Sequence, residues 1–284
     1  MLFRILGSAA AEGWPAPFCV CDACRLARQR GGKDIRRRTS YQLGDQVHVD
    51  WGPDSYHSMI ALGLDYAPLR HLLVTHSHQD HWCPQELYWR RKGFSQIPAG
   101  SWLTVHGNAQ VGQLLGGEHD SISALALDFH LIEPFVEVPL EGTGVSAVGF
   151  PASHASDDEM ALNYLLTVGG RTVLVGNDTG WWEDAVWDFL GDWELHVVVM
   201  DSTSGPLDRP ATGGANSWIG THHFSCRGVV AVRDELAKRG ALAPDCRFVA
   251  NHFSHNGGWL HDDLEAFFGP EGILVGYDGM AIEV

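Results

Sequence analysis

Four side chains able to bind a metal ion stand within six residues of this sequence, at His76, His78, Asp80 and His81. They follow the apolar segment 72–74, which predicts a buried strand. His76 and His78 are two residues apart, so in an extended chain their rings project to the same side. Asp80 and His81 follow where the chain bends and can point at a second position nearby. Imidazole and carboxylate ligands together suit Zn²⁺, Mn²⁺ or iron, so this segment predicts a metal centre.

A second group of metal-binding side chains lies near the N-terminus, in Cys19-x-Cys21-x-x-Cys24. Three cysteines in six residues favour metal binding over disulfide pairing. A structural zinc ion normally has four protein ligands, so the fourth must come from elsewhere in the chain. The candidates for it are His255, Cys226 and Cys246.

The composition is that of a folded, acidic protein. The chain has 284 residues, of which 45% are hydrophobic and 19% charged, and this is enough apolar material for a buried core. The 19 Lys and Arg against 35 Asp and Glu give a formal net charge of −16. That balance argues against a nucleic-acid polymer as partner, because phosphate backbones require clustered basic side chains. A small anionic substrate held by metal ions remains compatible with it.

Short strands with helices between them dominate the pattern along the chain. A strand is expected over 42–50 and a helix over 85–91. Val168-Gly169-Gly170-Arg171 separates two β-rich runs and predicts a hairpin. Further strands are expected over 145–150, 172–175, 197–200 and 248–250. This order predicts two packed β-sheets flanked by helices, and because no low-complexity linker divides the chain, we expect a single domain over residues 1–284.

The apolar segments also bear on the location of the protein. None approaches the roughly 18 residues that a membrane-spanning helix needs. Arg4 interrupts the apolar N-terminal stretch, which therefore predicts a first β-strand rather than a secretion signal. The scattered Cys83, like Cys226 and Cys246 if they are not zinc ligands, is expected to be a reduced thiol. We therefore expect a cytoplasmic protein without membrane association.

The run His76-x-His78-x-Asp80-His81 after a strand resembles the hallmark of the metallo-β-lactamase superfamily. The resemblance implies an α/β (α+β) fold, an αβ/βα sandwich of two mixed β-sheets flanked by helices, with a two-metal site at one edge. It implies that one metal is bound by His76, His78 and His154, the other by Asp80, His81 and His252, and that Asp178 bridges them. The last three of the seven ligands each follow a predicted strand. A carboxylate can span two ions because it has two oxygens. Asp50-x-Gly52 resembles the turn that supports this site.

A narrower resemblance covers nearly the whole chain. Gly13-Trp14-Pro15, the cysteine cluster, the basic run 36–40 and the ending 276–282 are similar to the phosphodiesterases of the carbon–phosphorus lyase pathway, in the ribonuclease Z-like branch. This similarity implies a structural zinc loop at about 13–40, completed by His255. It implies that a histidine of the pair His222-His223, with His223 preferred, contacts the phosphate and assists the leaving group. It also suggests a homodimer.

The implied reaction is hydrolysis of a small anionic phosphodiester, linear or cyclic, by attack of a hydroxide that bridges two Zn²⁺ or Mn²⁺ ions. Asp80 would bind one metal and orient the hydroxide. One alternative is a lactonase or thioesterase that uses the same site on a carbonyl carbon. Another is a non-catalytic accessory protein of cofactor biosynthesis. A transfer-RNA-processing nuclease is disfavoured, because no long basic arm is present.

Several tryptophans lie beside the ligand-bearing segments and have two interpretations. They pack in the core and at its rim, or they line an apolar pocket for a ring or acyl chain of the substrate. The residues concerned are Trp181, Trp182, Trp218 and Trp259.

Overall fold

The computed structural model describes residues 1–118, 121–154, 158–206 and 222–284. In these ranges the chain forms six α-helices and fourteen strands in two seven-stranded sheets. The helices are α1 (Asp22–Arg30), α2 (Ser55–Leu62), α3 (Ala109–Glu118), α4 (Asp184–Gly191), α5 (Cys226–Lys238) and α6 (His261–Phe268). Trp218 lies outside the described residues.

The first sheet has the strand order β14-β1-β2-β3-β4-β5-β6. Its strands are β1 (Leu2–Gly7), β2 (Ser40–Leu43), β3 (Val47–Val49), β4 (His71–Leu73), β5 (Leu103–Gly107), β6 (Leu127–Leu131) and β14 (Ala281–Glu283). Strands β3 to β6 are parallel, whereas β14, β1, β2 and β3 pair antiparallel. The carboxyl ends of the parallel strands therefore meet at one edge of the sheet.

The second sheet has the order β13-β12-β11-β10-β9-β8-β7. Its strands are β7 (Glu137–Leu140), β8 (Val145–Pro151), β9 (Leu162–Val168), β10 (Arg171–Gly176), β11 (Leu195–Asp201), β12 (Leu242–Asn251) and β13 (Leu274–Val275). Here β10 to β13 are parallel and β7 to β10 antiparallel. The sheet is therefore mixed, like the first.

Three hydrophobic clusters hold the layers together. The central one packs side chains of both sheets against each other, among them Phe3 and Leu73 from the first and Val173 and Val249 from the second. A larger cluster lies on the outer face of the second sheet and includes residues of α1, α4, α5 and α6. The third covers the outer face of the first sheet with α3. This is the predicted sandwich of two mixed sheets flanked by helices, with the apolar residues buried between layers.

Local predictions have different outcomes. The hairpin is confirmed, since Val168 of β9 pairs with Arg171 of β10 across two glycines with positive φ. The single strand over 42–50 is wrong, because a turn with Gly44 at φ 62° splits it into the antiparallel β2 and β3. The helix over 85–91 is a 3₁₀ helix over Pro84–Arg90, a tighter winding than its apolar spacing suggested.

The basic run 36–38 braces the fold from inside. Arg36 is 3% exposed and donates to Ser8 Oγ and to the carbonyl of Gly276. Arg37 pairs with Asp278, and Arg38 pairs with Asp54. Because these guanidinium groups pair with partners inside the fold, they do not form a basic surface.

Within the described ranges, no helix combines the length and apolar character needed to cross a membrane.

Candidate metal centre

The metal-binding residues predicted from sequence come together where strands of the two sheets end. His76 to His81 follow β4, His154 follows β8, Asp178 follows β10 and His252 follows β12. A hydrogen bond from Leu162 N to Thr75 O joins the two sheets at this edge. The carboxyl ends of strands are where side chains on loops converge in such sheets.

Asp178 stands at the centre of this cluster and divides it into two groups of donor atoms. Its Oδ2 lies 3.7 Å from His76 Nε2, 3.3 Å from His81 Nε2 and 3.4 Å from His154 Nε2. Its Oδ1 lies 2.7 Å from His252 Nε2. One group comprises His76, His78, His154 and Asp178, and the other comprises Asp80, His81, Asp178 and His252. Within each group the donor atoms lie within 4.8 Å of one another.

The histidines are oriented through their outward-facing nitrogens. His81 Nδ1 donates to Asp50 Oδ2 at 2.7 Å, and His252 Nδ1 donates to Thr203 Oγ1 at 2.7 Å. His154 Nδ1 donates to the carbonyl of His222 at 3.1 Å. A hydrogen bond at Nδ1 fixes the tautomer that leaves the Nε2 lone pair free for a metal. The predicted supporting role of the Asp50-x-Gly52 turn corresponds to the contact with His81.

The inward-facing atoms show whether metal ions fit here. His81 Nε2, His252 Nε2 and Asp178 Oδ1 are buried, and among the described residues none of them has a hydrogen-bond partner of acceptable geometry. An unpaired polar atom in the interior costs about 1–3 kcal/mol, whereas a cation coordinated at this point would satisfy all three. Burial opposes ionisation of Asp178, but the neighbouring His252 and His81 hold the pKa of that carboxyl well below its usual range. The donor set therefore fits two divalent cations.

Three residues of the site have left-handed backbone conformations. Asp50, Asp178 and His252 have φ values of 62°, 42° and 58°. This region costs a residue with a side chain on the order of 1–2 kcal/mol. Strained backbone of this kind concentrates where a side chain must be aimed at a functional centre. Here Asp50 and His252 come directly after a strand, and Asp178 follows the end of β10 by two residues.

Asp201 is a residue of the site that the sequence analysis missed. It ends β11, and its Oδ2 accepts a hydrogen bond from His223 Nδ1 at 2.6 Å. Donor atoms of both residues lie within 4.8 Å of those of Asp178 and His252. The His222 side chain, by contrast, is exposed. A carboxylate at the end of the expected strand 197–200 was a usable signal, since the resemblance places its ligands, Asp178 among them, after predicted strands.

Glu159 was also missed, because it belongs to no motif. Its carboxylate accepts from Ser77 N at 2.8 Å and from Ser77 Oγ at 2.7 Å. It also accepts from Asn108 Nδ2 at 2.8 Å. The segment between His76 and His78 is thereby tied to the loop after β5, which keeps the two imidazoles in place.

The cysteine cluster forms a separate group with His255. The Sγ atoms of Cys19 and Cys21 lie 3.7 Å and 3.6 Å from His255 Nδ1, and Cys24 completes the set. Tetrahedral zinc with its usual bond lengths to sulfur and nitrogen places these atoms about 3.6 Å apart. Of the three candidates for the fourth ligand, the structure brings His255 to the thiols, while Cys226 lies at the start of α5 and Cys246 in β12.

Backbone amides also prepare the thiols for a metal. Cys19 Sγ accepts from Cys21 N, Cys21 Sγ accepts from Cys24 N, and Cys24 Sγ accepts from Ala16 N, each at 3.4 Å. Hydrogen bonds of this kind stabilise thiolate over thiol. Burial raises the pKa of Cys24 to about 12, so a cation is what would keep this sulfur deprotonated at neutral pH.

The tryptophans beside the ligand-bearing loops pack within the fold. Trp182 is buried, and its Nε1 donates to Asn163 Oδ1 at 2.9 Å. The ring of Trp181 lies against Trp187 at a centroid distance of 4.7 Å, and Trp259 contacts Phe267. Of the two interpretations, these contacts favour packing for the three described tryptophans.

The overall fold of this chain is similar to that of several solved structures. A diphosphatase of the PhnP family aligns at 21% sequence identity and a TM-score of 0.74, over 100% of this chain and 97% of that chain. The Zn²⁺-bound PqqB from Methylobacterium extorquens aligns at 17% identity and a TM-score of 0.75, over 100% of both chains. The metallo-β-lactamase fold protein YhfI from Bacillus subtilis aligns at 14% identity and a TM-score of 0.66, over 99% of both chains. The chain has the metallo-β-lactamase fold.

The metallo-β-lactamase fold was predicted from one six-residue motif and is confirmed over the full length of the chain. No protein-family model and no curated protein sequence matches the chain. At these identities the structural likeness establishes the fold, and activity has to be argued from the site itself.

Proposed function

We propose that this protein is a metal-dependent phosphodiesterase that hydrolyses a small anionic phosphodiester. The observation that carries the proposal is the shared carboxylate of Asp178, which serves two groups of donor atoms at once. His and carboxylate donors in both groups suit Zn²⁺ or Mn²⁺. When bound, two such ions would lower the pKa of a water molecule toward neutrality and polarise a phosphoryl oxygen. The positive charge of two bound metal ions would favour an anionic substrate over a neutral one.

His223 supplies a proton donor beside the two groups of donor atoms. Burial disfavours its charged form, but the charge and hydrogen bond of Asp201 outweigh burial and raise the pKa of His223 to about 9. A raised pKa favours the protonated ring, which can donate to a phosphoryl oxygen or to a departing alkoxide. Its ring centroid lies 4.8 Å from that of His154 and 5.9 Å from that of His252, so the proton is held beside both groups. Asp80, in the same group as His81 and His252, has the acceptor oxygens needed to orient an attacking water.

The relatives of this fold are consistent with this assignment. One is described as a diphosphatase of the PhnP family, and another was solved with Zn²⁺ bound. We further propose that a structural zinc ion is held by Cys19, Cys21, Cys24 and His255, apart from the catalytic centre. A cytoplasmic setting fits the free cysteines of the described residues.

His223→Ala tests the assigned proton donor. We expect kcat for a 2′,3′-cyclic nucleotide to fall by about 10²–10⁴-fold, as is usual when a general acid is removed. The loss should be much smaller for bis(p-nitrophenyl) phosphate, because p-nitrophenolate leaves without being protonated. Steady-state kinetics on both substrates, with metal content measured alongside, separates loss of the proton donor from loss of metal.

The matched control is His222→Ala, the neighbouring histidine whose ring is exposed and whose backbone carbonyl, rather than side chain, meets His154. Near-normal turnover is expected for this variant. A larger loss of turnover in His222→Ala than in His223→Ala would assign the proton-donor role to His222 instead. Turnover of lactones or thioesters without turnover of phosphodiesters would overturn the proposed reaction itself.

A further inference from the structure

One buried hydroxyl group connects two ligand-bearing loops of the second sheet. The hydroxyl belongs to Tyr41 of β2, in the first sheet, whose side chain is fully buried between the two sheets. Tyr41 Oη donates to Asn177 Oδ1 and accepts from Asn251 Nδ2 at 2.9 Å. Because a phenol hydroxyl can donate one hydrogen bond while it accepts another, this single oxygen atom serves both amides.

The two amides stand directly before metal-binding residues. Asn177 follows β10 and precedes Asp178, and Asn251 ends β12 and precedes His252. Strand β11 separates β10 from β12 in the sheet. Tyr41 reaches both loops from the opposite sheet, so its hydroxyl joins them across the width of that intervening strand.

Asp178 and His252 need such support because both have strained backbone and must meet at close range. Their φ values are 42° and 58°, and strained conformations persist only where the surrounding structure over-determines them. Asp178 Oδ1 lies 2.7 Å from His252 Nε2, and both residues belong to the group of donor atoms that also contains Asp80 and His81. The spacing of the two loops therefore decides whether this group fits around an ion.

The position of the Asn177 amide depends on the Tyr41 hydroxyl. Among the described residues the Asn177 side chain has no other hydrogen-bond partner, since its Nδ2 is buried and unpaired. The Asn251 amide is also confined by packing, because a Cβ at Gly276 would lie 2.3 Å from its Oδ1. Loss of the hydroxyl would leave the buried Asn177 amide without a partner while Asn251 stays confined, and the link between the two loops would be lost.

We propose that Tyr41 is a positioning residue of the metal centre, whose hydroxyl fixes the spacing between Asp178 and His252 through Asn177 and Asn251. Tyr41 is not a member of the groups of donor atoms, and it acts on the metal ions only through its two amide partners. The inference rests on the proposed function, because it concerns how the proposed centre retains its ions.

Tyr41→Phe tests this role, because it removes only the hydroxyl and keeps the ring that stacks on Phe3 at a centroid distance of 5.4 Å. Zn²⁺-loaded protein is dialysed against graded chelator concentrations, and the ions per chain are counted by mass spectrometry. Losing a hydrogen bond behind the ligands lowers metal affinity by about 10- to 100-fold. We expect the two ions around Asp178 to leave Tyr41→Phe at about tenfold lower chelator concentration than they leave the wild type. The ion of the cysteine cluster should leave both proteins at the same concentration and is the internal reference.

Tyr164→Phe is the matched control. Tyr164 is also fully buried between the sheets, but its hydroxyl donates to the carbonyl of Val74 at 2.9 Å. This variant should release its ions at the wild-type chelator concentration, and thermal unfolding verifies that both variants are folded. Excess Mn²⁺ should restore turnover of bis(p-nitrophenyl) phosphate in Tyr41→Phe, because the ligands themselves remain intact.

Asn177→Ala, alone and combined with Tyr41→Phe, separates positioning from a general loosening of the core. If the hydroxyl acts through this amide, the double variant should lose its ions no more easily than Asn177→Ala alone. The positioning role would be overturned by effects that multiply, by wild-type metal release in Tyr41→Phe, or by equal weakening in Tyr164→Phe. Wild-type protein that holds a single ion would instead overturn the proposed metal centre, and this inference with it.

Discussion

Asp178→Asn is expected to release both metal ions of the catalytic centre and to lower phosphodiesterase turnover by at least about 10³-fold, equivalent to about 4 kcal/mol of transition-state stabilisation. The amide keeps the shape of the side chain but loses its charge and replaces one oxygen by an NH₂ group. Because both carboxylate oxygens of Asp178 face imidazole nitrogens at 2.7–3.7 Å, each group of donor atoms loses a member. Metal content by mass spectrometry and turnover of bis(p-nitrophenyl) phosphate measure the two effects.

The control for this change is Asp45→Asn, in the exposed turn between β2 and β3. It alters the net charge of the chain by the same amount at a distance from the site, and wild-type metal content and turnover are expected. Wild-type turnover in Asp178→Asn would mean that the bridging role is misassigned. A variant that keeps one ion and most activity would place Asp178 in a single group only.

Cys21→Ser is expected to remove one zinc ion per chain and to lower the thermal midpoint by roughly 10 °C. A structural zinc site contributes folding free energy directly, and a loss of about 4 kcal/mol corresponds to roughly 8–16 °C for a chain of this size. The effect is large here because the ion would join Cys19 to His255, which are 236 positions apart in sequence. Phosphodiesterase turnover per folded molecule should change little, since the cysteine group shares no residue with the groups around Asp178.

Cys246→Ser is the matched control, because Cys246 lies in β12 outside the cysteine cluster and was a rejected candidate for the fourth ligand. Its zinc content should equal that of the wild type. If Cys21→Ser kept its full zinc content and its thermal midpoint, the N-terminal loop would not be a zinc site.

The residues that converge around Asp178 were predictable because a family motif and the ends of predicted strands mark them in the sequence. His76 to His81 form a compact motif, and His154, Asp178 and His252 follow apolar runs that are visible as strands. Asp201 also stands at a strand end, that of β11, but in no family motif that was recognised, so it was overlooked. Glu159 could not have been found this way, because its role depends on a contact with Ser77 across 82 positions.

Secondary structure was predictable where a sequence pattern is compatible with only one local conformation. The Gly-Gly pair between β9 and β10 specifies a turn by backbone freedom. The run 42–50 looked continuous because Gly44 is a single residue inside an apolar stretch, and only pairing between β2 and β3 shows that it turns there. The short α2 has little amphipathic patterning, since Ser55 and Ser58 are its buried residues, so no periodic signal marked it.

The position of a tryptophan in the sequence did not reveal whether its ring packs in the core or lines a cavity. Proximity in sequence to ligand loops drew attention to Trp181, Trp182 and Trp259, which pack in the fold. The rings that border a cavity are instead Trp51, which precedes α2, and Trp89 of the 3₁₀ helix. Whether a tryptophan packs or lines a cavity depends on which neighbours the tertiary structure supplies, and a single sequence does not contain that information.

The most direct test of the central claim is the number of metal ions per chain in the purified protein after loading with Zn²⁺ or Mn²⁺, measured by mass spectrometry together with turnover of bis(p-nitrophenyl) phosphate. Two groups around Asp178 and one around the cysteines predict three ions per chain and metal-dependent turnover that a chelator abolishes. A chain that binds a single ion and hydrolyses no phosphodiester would contradict the account and leave the accessory role as the better explanation.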